Sequence, residues 1–111
     1  MSADKDWIDV CSETDLQPDS GICALVENKQ IAIFHMPREH TVYAINNYDP
    51  FGKANVLSRG LIGDIKGVPM VSSPLHKQHF NLKTGQCFED EEMSVEAYSI
   101  RIEKGRVEVR L

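Results

Sequence analysis

Long apolar stretches are the first thing missing from this 111-residue chain. Its longest run without a charged residue, Gly67 to His76, spans 10 residues, against the roughly 20 apolar residues that a bilayer-crossing helix requires. A transmembrane helix is therefore excluded. The first residues, Met1 to Trp7, carry charge at once and no apolar segment, so no secretory signal is expected and the cytoplasm is the expected compartment. Cysteine is scarce: Cys11, Cys23 and Cys87 are odd in number, irregular in spacing and form no C-x-x-C pair. That excludes a disulfide framework and a thiolate zinc site, and the three read as reduced, mostly buried thiols. Basic residues do not cluster. Residues 1–55 hold 4 bases and 9 acids and residues 56–111 hold 8 of each, which gives the net charge of −5. A phosphate backbone needs a basic face, so nucleic acid is not an expected partner. There is no G-x-G-x-x-G or P-loop string, and no serine or cysteine sits in a nucleophile motif, so the chain alone is expected to have no turnover.

What is present is a domain-sized chain, 41% hydrophobic and 26% charged, built from short β-branched and aromatic runs punctuated by turn residues. Residues 1–111 read as one domain, with residues 1–5 expected to be flexible, and size excludes a second core. The fold class is all-β, an antiparallel sandwich or small barrel of about nine short strands. Lys104-Gly105 predicts a two-residue hairpin loop between Ala97–Glu103 and Arg106–Leu111, which sets Glu103 opposite Arg106, Ile102 opposite Val107, Arg101 opposite Glu108 and Ile100 opposite Val109. A second hairpin is expected at Asn28-Lys29, joining Ile22–Glu27 to Gln30–Met36. Both of its strands are nearly continuously apolar, as in central strands covered on both faces. Further strands are expected at Trp7–Cys11, Thr41–Asn46, Met70–Ser73, His79–Leu82 and Gln86–Phe88. Ser12 to Leu16 predicts one helical turn, with Ser12 as N-cap and Asp15 completing a capping box. Asp49 to Gly67, with Pro50, Gly52, Gly60 and Gly63 inside it, reads as a long loop, and loops of that length in small domains usually belong to function. Glu89-Asp90-Glu91-Glu92 is either a solvated loop or an acidic contact for a partner.

Two segments carry an identity. Ala44-Ile45-Asn46-Asn47-Tyr48-Asp49-Pro50-Phe51 and Ser73-Pro74-Leu75-His76-Lys77-Gln78-His79-Phe80-Asn81-Leu82-Lys83-Thr84-Gly85 resemble the two cluster-binding loops of Rieske-type proteins. Those loops have the frames C-x-H and C-x-x-H, two cysteines holding one iron of a [2Fe-2S] centre and two histidines the other. The frames fall on Asp49-Pro50-Phe51 and Ser73-Pro74-Leu75-His76. Asp49 and Ser73 stand where cysteines should be and Phe51 where a histidine should be; His76 alone keeps a ligand type. Four thiolate or imidazole donors are needed, so no cluster is expected here. From residue 5 to 111, and above all in Asp49-Pro50-Phe51 and Val56-Leu57-Ser58-Arg59-Gly60-Leu61-Ile62, the chain is similar to the small subunits of bacterial cytoplasmic NADH-dependent nitrite reductase. The resemblance implies a Rieske-like fold and an accessory subunit with no cofactor of its own. It implies a large-subunit partner bearing FAD, a [4Fe-4S] cluster and sirohaem, which reduces nitrite to ammonium.

Other readings stand beside this one. His76 and His79 with Asp49 could make a two-histidine, one-carboxylate metal site, although residues three apart in an extended segment point to opposite faces. Asp49-Pro50 is also a turn-starting pair. Phe51 is expected to plug the volume that a liganded iron would fill, with a loss of about 3–5 kcal/mol on Phe51→Ala if the ring is fully buried. Arg59, Lys77 and His79 are candidate partner contacts. A Rieske-type ferredoxin that carries electrons, or a Rieske-like binding module unrelated to nitrite, are the rival functions.

Overall fold

The computed structural model describes residues 6–36, 41–75 and 77–111. Within them run β1 (Ile8–Ser12), β2 (Ser20–Val26), β3 (Lys29–Met36), β4 (Thr41–Asn46), β5 (Tyr48–Asp49), β6 (Ala54–Asn55), β7 (Leu61–Ile65), β8 (Val68–Ser72), β9 (His79–Asn81), β10 (Ala97–Glu103) and β11 (Arg106–Arg110). Two single-turn 3-10 segments lie at Glu13–Asp15 and Leu57–Arg59. The class is all-β, as the alternation of short runs implies. A six-stranded antiparallel sheet has the order β1-β11-β10-β4-β3-β2, and a three-stranded sheet the order β7-β8-β9. β5 and β6 form a two-residue ladder of their own.

The C-terminal hairpin has the expected register, Ile100 facing Val109, Arg101 facing Glu108, Ile102 facing Val107 and Glu103 facing Arg106. Lys104 and Gly105 both take positive φ, 51° and 80°, the left-handed pair that matches strand twist. Arg101 Nε donates to Glu108 Oε1 at 2.7 Å. Arg106 instead turns to β1, where Nε and Nη2 reach both carboxylate oxygens of Asp9 at 2.8 and 2.7 Å. The expected capping box is also formed: Ser12 N donates to Asp15 Oδ2 at 3.1 Å and Thr14 N to Ser12 Oγ at 3.2 Å.

β3 explains why its run is apolar without a break. Ile31 and Ile33 face one core together with Val107, Val109 and Ala44, while Ala32, Phe34 and Met36 face a second with Val71, Phe80 and Leu82. The first core lies inside the curved six-stranded sheet; the second joins that sheet to the three-stranded one. Burial on both faces of one strand removes the usual polar alternation.

Five expectations need correction. The β2–β3 turn is Glu27-Asn28, both at positive φ (49° and 69°), so Val26 faces Lys29; asparagine tolerates the left-handed region that the turn requires. β2 is an edge strand, not a central one, and only Val26 in it is fully buried. Its free edge faces β1 across a groove of about 440 Å³ lined by Ile8–Cys11 and Ile22–Glu27, so the barrel is open along this seam. Asp49 to Gly67 is not one loop: it contains β5, β6, the Leu57–Arg59 turn and β7. β7 and β8 are joined by Lys66-Gly67 at φ 52° and 85°, the same dipeptide and geometry as Lys104-Gly105. Gln86–Phe88 is not a strand but makes isolated bridges, Cys87 to Phe80 and Gln86 to Ser94. Of the thiols only Cys87 is buried, while Cys11 is half-buried and Cys23 exposed. Residues 1–5 lie outside the described residues.

Candidate functional site

The loops after β4 and β8 are built alike. Asp49-Pro50-Phe51-Gly52-Lys53 and Ser73-Pro74-Leu75-His76-Lys77 each begin with a side-chain oxygen that accepts the amide two residues on. Phe51 N donates to Asp49 Oδ1 at 2.9 Å and Leu75 N to Ser73 Oγ at 3.2 Å. Each closes with the amide four residues on: Lys53 N donates to the Asp49 carbonyl at 2.7 Å and Lys77 N to the Ser73 carbonyl at 3.1 Å. Both lysines take positive φ, 56° and 66°. Proline suits the second position because it presets φ and needs no donor there. The two loops meet at their first residues, where Ser73 Oγ donates to Asp49 Oδ2. Both side chains are wholly buried, and in such a place a satisfied polar pair is far better than either group alone.

Asn47 anchors this pair to the frame. It is buried; its Nδ2 donates to Gln30 Oε1 at 3.2 Å and to Cys23 Sγ at 3.4 Å, and its Oδ1 accepts Ser58 N at 2.7 Å. Its carbonyl accepts Leu57 N at 3.0 Å. The ligand frame gives Asn47 no role; the signal for it in the sequence is an amide side chain between an apolar strand and a loop, where backbone groups need partners. Gly60 matters nearby, since a Cβ there would stand 2.2 Å from the Ser72 carbonyl oxygen, which holds β7 against the root of the second loop.

The expected site residues are placed as follows. Asp49 and Ser73 are in contact. Phe51 packs against the second core, its ring centroid 6.2 Å from that of Phe80, but it is half-buried, so the plug is partial. His76 lies outside the described residues. Lys77 closes the second loop at the surface. His79 opens β9 and is engaged: its amide donates to Glu89 Oε1 at 2.8 Å and its Nδ1 lies 2.5 Å from Glu89 Oε2. Arg59 ends the 3-10 turn under Asn47 and lies toward Cys23 of β2. Asp49 being tied to Ser73 and His79 to Glu89, a metal triad from Asp49, His76 and His79 is not supported, and among the described residues no group of three or more histidine, cysteine, aspartate or glutamate side chains could hold a metal.

Burial pushes the Glu89 carboxyl up, but the hydrogen bonds and charge of His79 outweigh it and hold the group below its ordinary 4.5. Burial pushes the thiols of Cys11, Cys23 and Cys87 up, which leaves them protonated and unreactive at neutral pH.

Residues 6–110 match the family model of the Rieske-like [2Fe-2S] domain. The nitrite reductase (NADH) small subunit of Escherichia coli strain K12 is 46% identical over 104 residues, 94% of this chain and 96% of that one. This chain belongs to that small-subunit family. The NMR structure of the E. coli protein NirD is similar with a TM-score of 0.88 at 45% identity, covering 96% of this small subunit and 97% of that chain. A segment of the Klebsiella oxytoca nitrite reductase [NAD(P)H] large subunit is 40% identical over 101 residues, 91% of this chain but 10% of that protein. The ferredoxin of carbazole 1,9a-dioxygenase from Nocardioides aromaticivorans IC177 shares the fold, with a TM-score of 0.80 at 21% identity over 94% of this chain and 96% of that one.

The fold family implies a [2Fe-2S] centre, but the donor set of this small subunit does not fit one. At the first cysteine and second cysteine positions stand a carboxyl and a hydroxyl that satisfy each other, and at the first histidine position a phenyl ring rests on Phe80. None of the three is a thiolate or imidazole donor.

Three outcomes follow from this geometry. Asp49→Ala and Ser73→Ala each lower stability by roughly 1–3 kcal/mol, because each orphans a buried partner. In a double-mutant cycle by urea unfolding the two losses fall short of additive, while additivity would show that the contact does not couple the loops. Phe51→Ala loses about 1–3 kcal/mol, less than full burial would give, and a loss under about 1 kcal/mol would refute the plug. Because the folded pKa of Glu89 is lowered, its pairing stabilises above about pH 4.5 and fades as pH falls through the lowered value. The melting temperature of Glu89→Gln is therefore below that of the wild type near pH 6, and the two converge as pH falls through the lowered value.

Proposed function

We propose that this chain is the small, accessory subunit of an NAD(P)H-dependent nitrite reductase, which docks on the cofactor-bearing large subunit and holds no redox centre itself. The observation that carries the reading is the match to the E. coli small subunit over nearly the whole of both chains. The Klebsiella sequence supports the choice of partner, since there a homologous domain lies within the large-subunit polypeptide. Tethering of that kind keeps two surfaces at high effective concentration without any new contact. Nitrite reduction to ammonium then takes place on the large subunit, with the FAD, [4Fe-4S] and sirohaem that the family resemblance assigns to it. No helix among the described residues is long and apolar enough to cross a membrane.

The electron-carrier reading requires thiolates or imidazoles at positions 49, 51 and 73, and the residues there are aspartate, phenylalanine and serine. Chemical analysis of the chain purified without oxygen tests the difference. The expected result is near-zero iron and acid-labile sulfide with no visible absorption, while stoichiometric iron and sulfide would restore the ferredoxin. Added to the purified large subunit, the chain is expected to raise nitrite-dependent NADH oxidation; no change at saturating chain would overturn the accessory role.

A further inference from the structure

Among the described residues five large apolar side chains stand exposed, Leu25, Tyr48, Leu61, Leu75 and Phe88. Three of them lie on the second loop or on the sheet at its root. Leu75, 48% exposed, rides on the second loop, its amide bound by Ser73 Oγ. Leu61 of β7 faces Ser72, Ser72 faces His79, and the His79 carbonyl accepts the amide of Phe88. Leu61 and Phe88, 77% and 39% exposed, thus close the two ends of one row across the three-stranded sheet at the root of that loop. Tyr48, 41% exposed, lies in a separate hollow with Pro50, Ser94, Val95 and Glu96. Leu25 stands apart on β2, along the open seam.

Charge surrounds this apolar group unevenly. The exposed Lys53 and Lys77 end the two loops, and the exposed Glu91 and Glu92 follow Phe88 in the chain. In a chain of net charge −5, cations thus end the loops and an acidic run follows the apolar Phe88. Exposed apolar side chains grouped around one loop mark a candidate site of association, and charges of both signs around them fix how a partner sits. The loops are held by the hydrogen bonds within each and by the Asp49–Ser73 contact between them, so the surface is already in its binding shape and little ordering is lost on docking.

We propose that this face, centred on Leu75 and flanked by Leu61 and Phe88, is the surface by which the chain docks on the nitrite reductase large subunit. The partner then presents an apolar hollow with acidic groups opposite Lys53 and Lys77 and basic groups opposite Glu91 and Glu92. The proposal rests on the accessory-subunit reading above, and the homologous domain inside a large-subunit polypeptide is the reason for committing to that occupant.

The test is equilibrium binding of the full chain to the purified large-subunit holoenzyme by isothermal titration calorimetry. Each variant is first shown by thermal melting to fold. Leu75→Asp and Leu61→Asp are expected to weaken binding at least about tenfold, and Leu25→Asp to leave it within about twofold. Lys77→Glu is expected to weaken binding at low salt and to approach the wild type at high salt. If the wild type binds and Leu75→Asp and Leu61→Asp bind equally well, this face is not the interface. If Leu25→Asp alone weakens binding, the seam between β1 and β2 is the interface and the proposal is overturned. If the wild type itself does not bind, the accessory-subunit reading fails first, and the docking face fails with it.

Discussion

The contact between Asp49 and Ser73 is the constraint around which the loop end of the molecule is arranged. Two loops from different sheets converge on it, and each is closed by its own pair of short-range hydrogen bonds to the same residue that makes the contact. In a Rieske protein an iron atom held by two cysteines joins the loops at this point. Here a hydroxyl and a carboxyl do so, with Phe51 resting on Phe80 beside them. This contact keeps the loops together with no thiolate or imidazole at positions 49, 51 and 73. A fold can therefore keep its shape after its cofactor site has been given up, because the shape needs only a satisfied cross-link and not that particular one.

The support for that contact runs back into the sheet. Asn47 ties the end of β4 to Gln30 of β3, to Cys23 of β2 and to the Leu57–Arg59 turn. β3 in turn is packed on both faces, so its position is set by two cores at once. A polar residue that satisfies three neighbouring segments, seated on a strand with no freedom to shift, is what lets two irregular loops adopt one geometry.

How far the amino-acid pattern foretold this depends on how local each feature is. The Lys104-Gly105 hairpin was legible to the residue, since a two-residue loop sets register and the cross-strand pairs agree with it. Ser12 and Asp15 formed their capping box for the same local reason. Strand β7 was missed, although Lys66-Gly67 repeats the same turn, because Gly63 and Asp64 interrupt its apolar alternation and neighbouring glycines and a proline suggested a loop. The open edge of β2 was not legible: its apolar run resembles that of β3, and only the failure of the barrel to close distinguishes them. At the site, the ligand frame identified Asp49, Phe51 and Ser73 in one dimension. That Asp49 and Ser73 would bond to each other, and that Asn47 would pin the segment before Asp49 to Gln30, Cys23 and Ser58, depends on packing between segments far apart in the chain.

The pairing of the first strand with the last has a consequence for the history of such domains. Ile8 faces Val109 across β1 and β11, and Trp7 lies against Arg110, whose guanidinium is 4.2 Å from its ring centroid. Entry and exit are thus neighbours, roughly one strand spacing apart. A unit whose two ends emerge side by side can be spliced into a longer reading frame, or cut free of one, without disturbing its interior. The same arrangement makes it a candidate for circular permutation, with old termini bridged by a short peptide and new ones opened at a hairpin turn. Gene fusion and gene fission then become nearly neutral events for the fold, which accounts in physical terms for finding a homologous domain both as a separate chain and within a larger one.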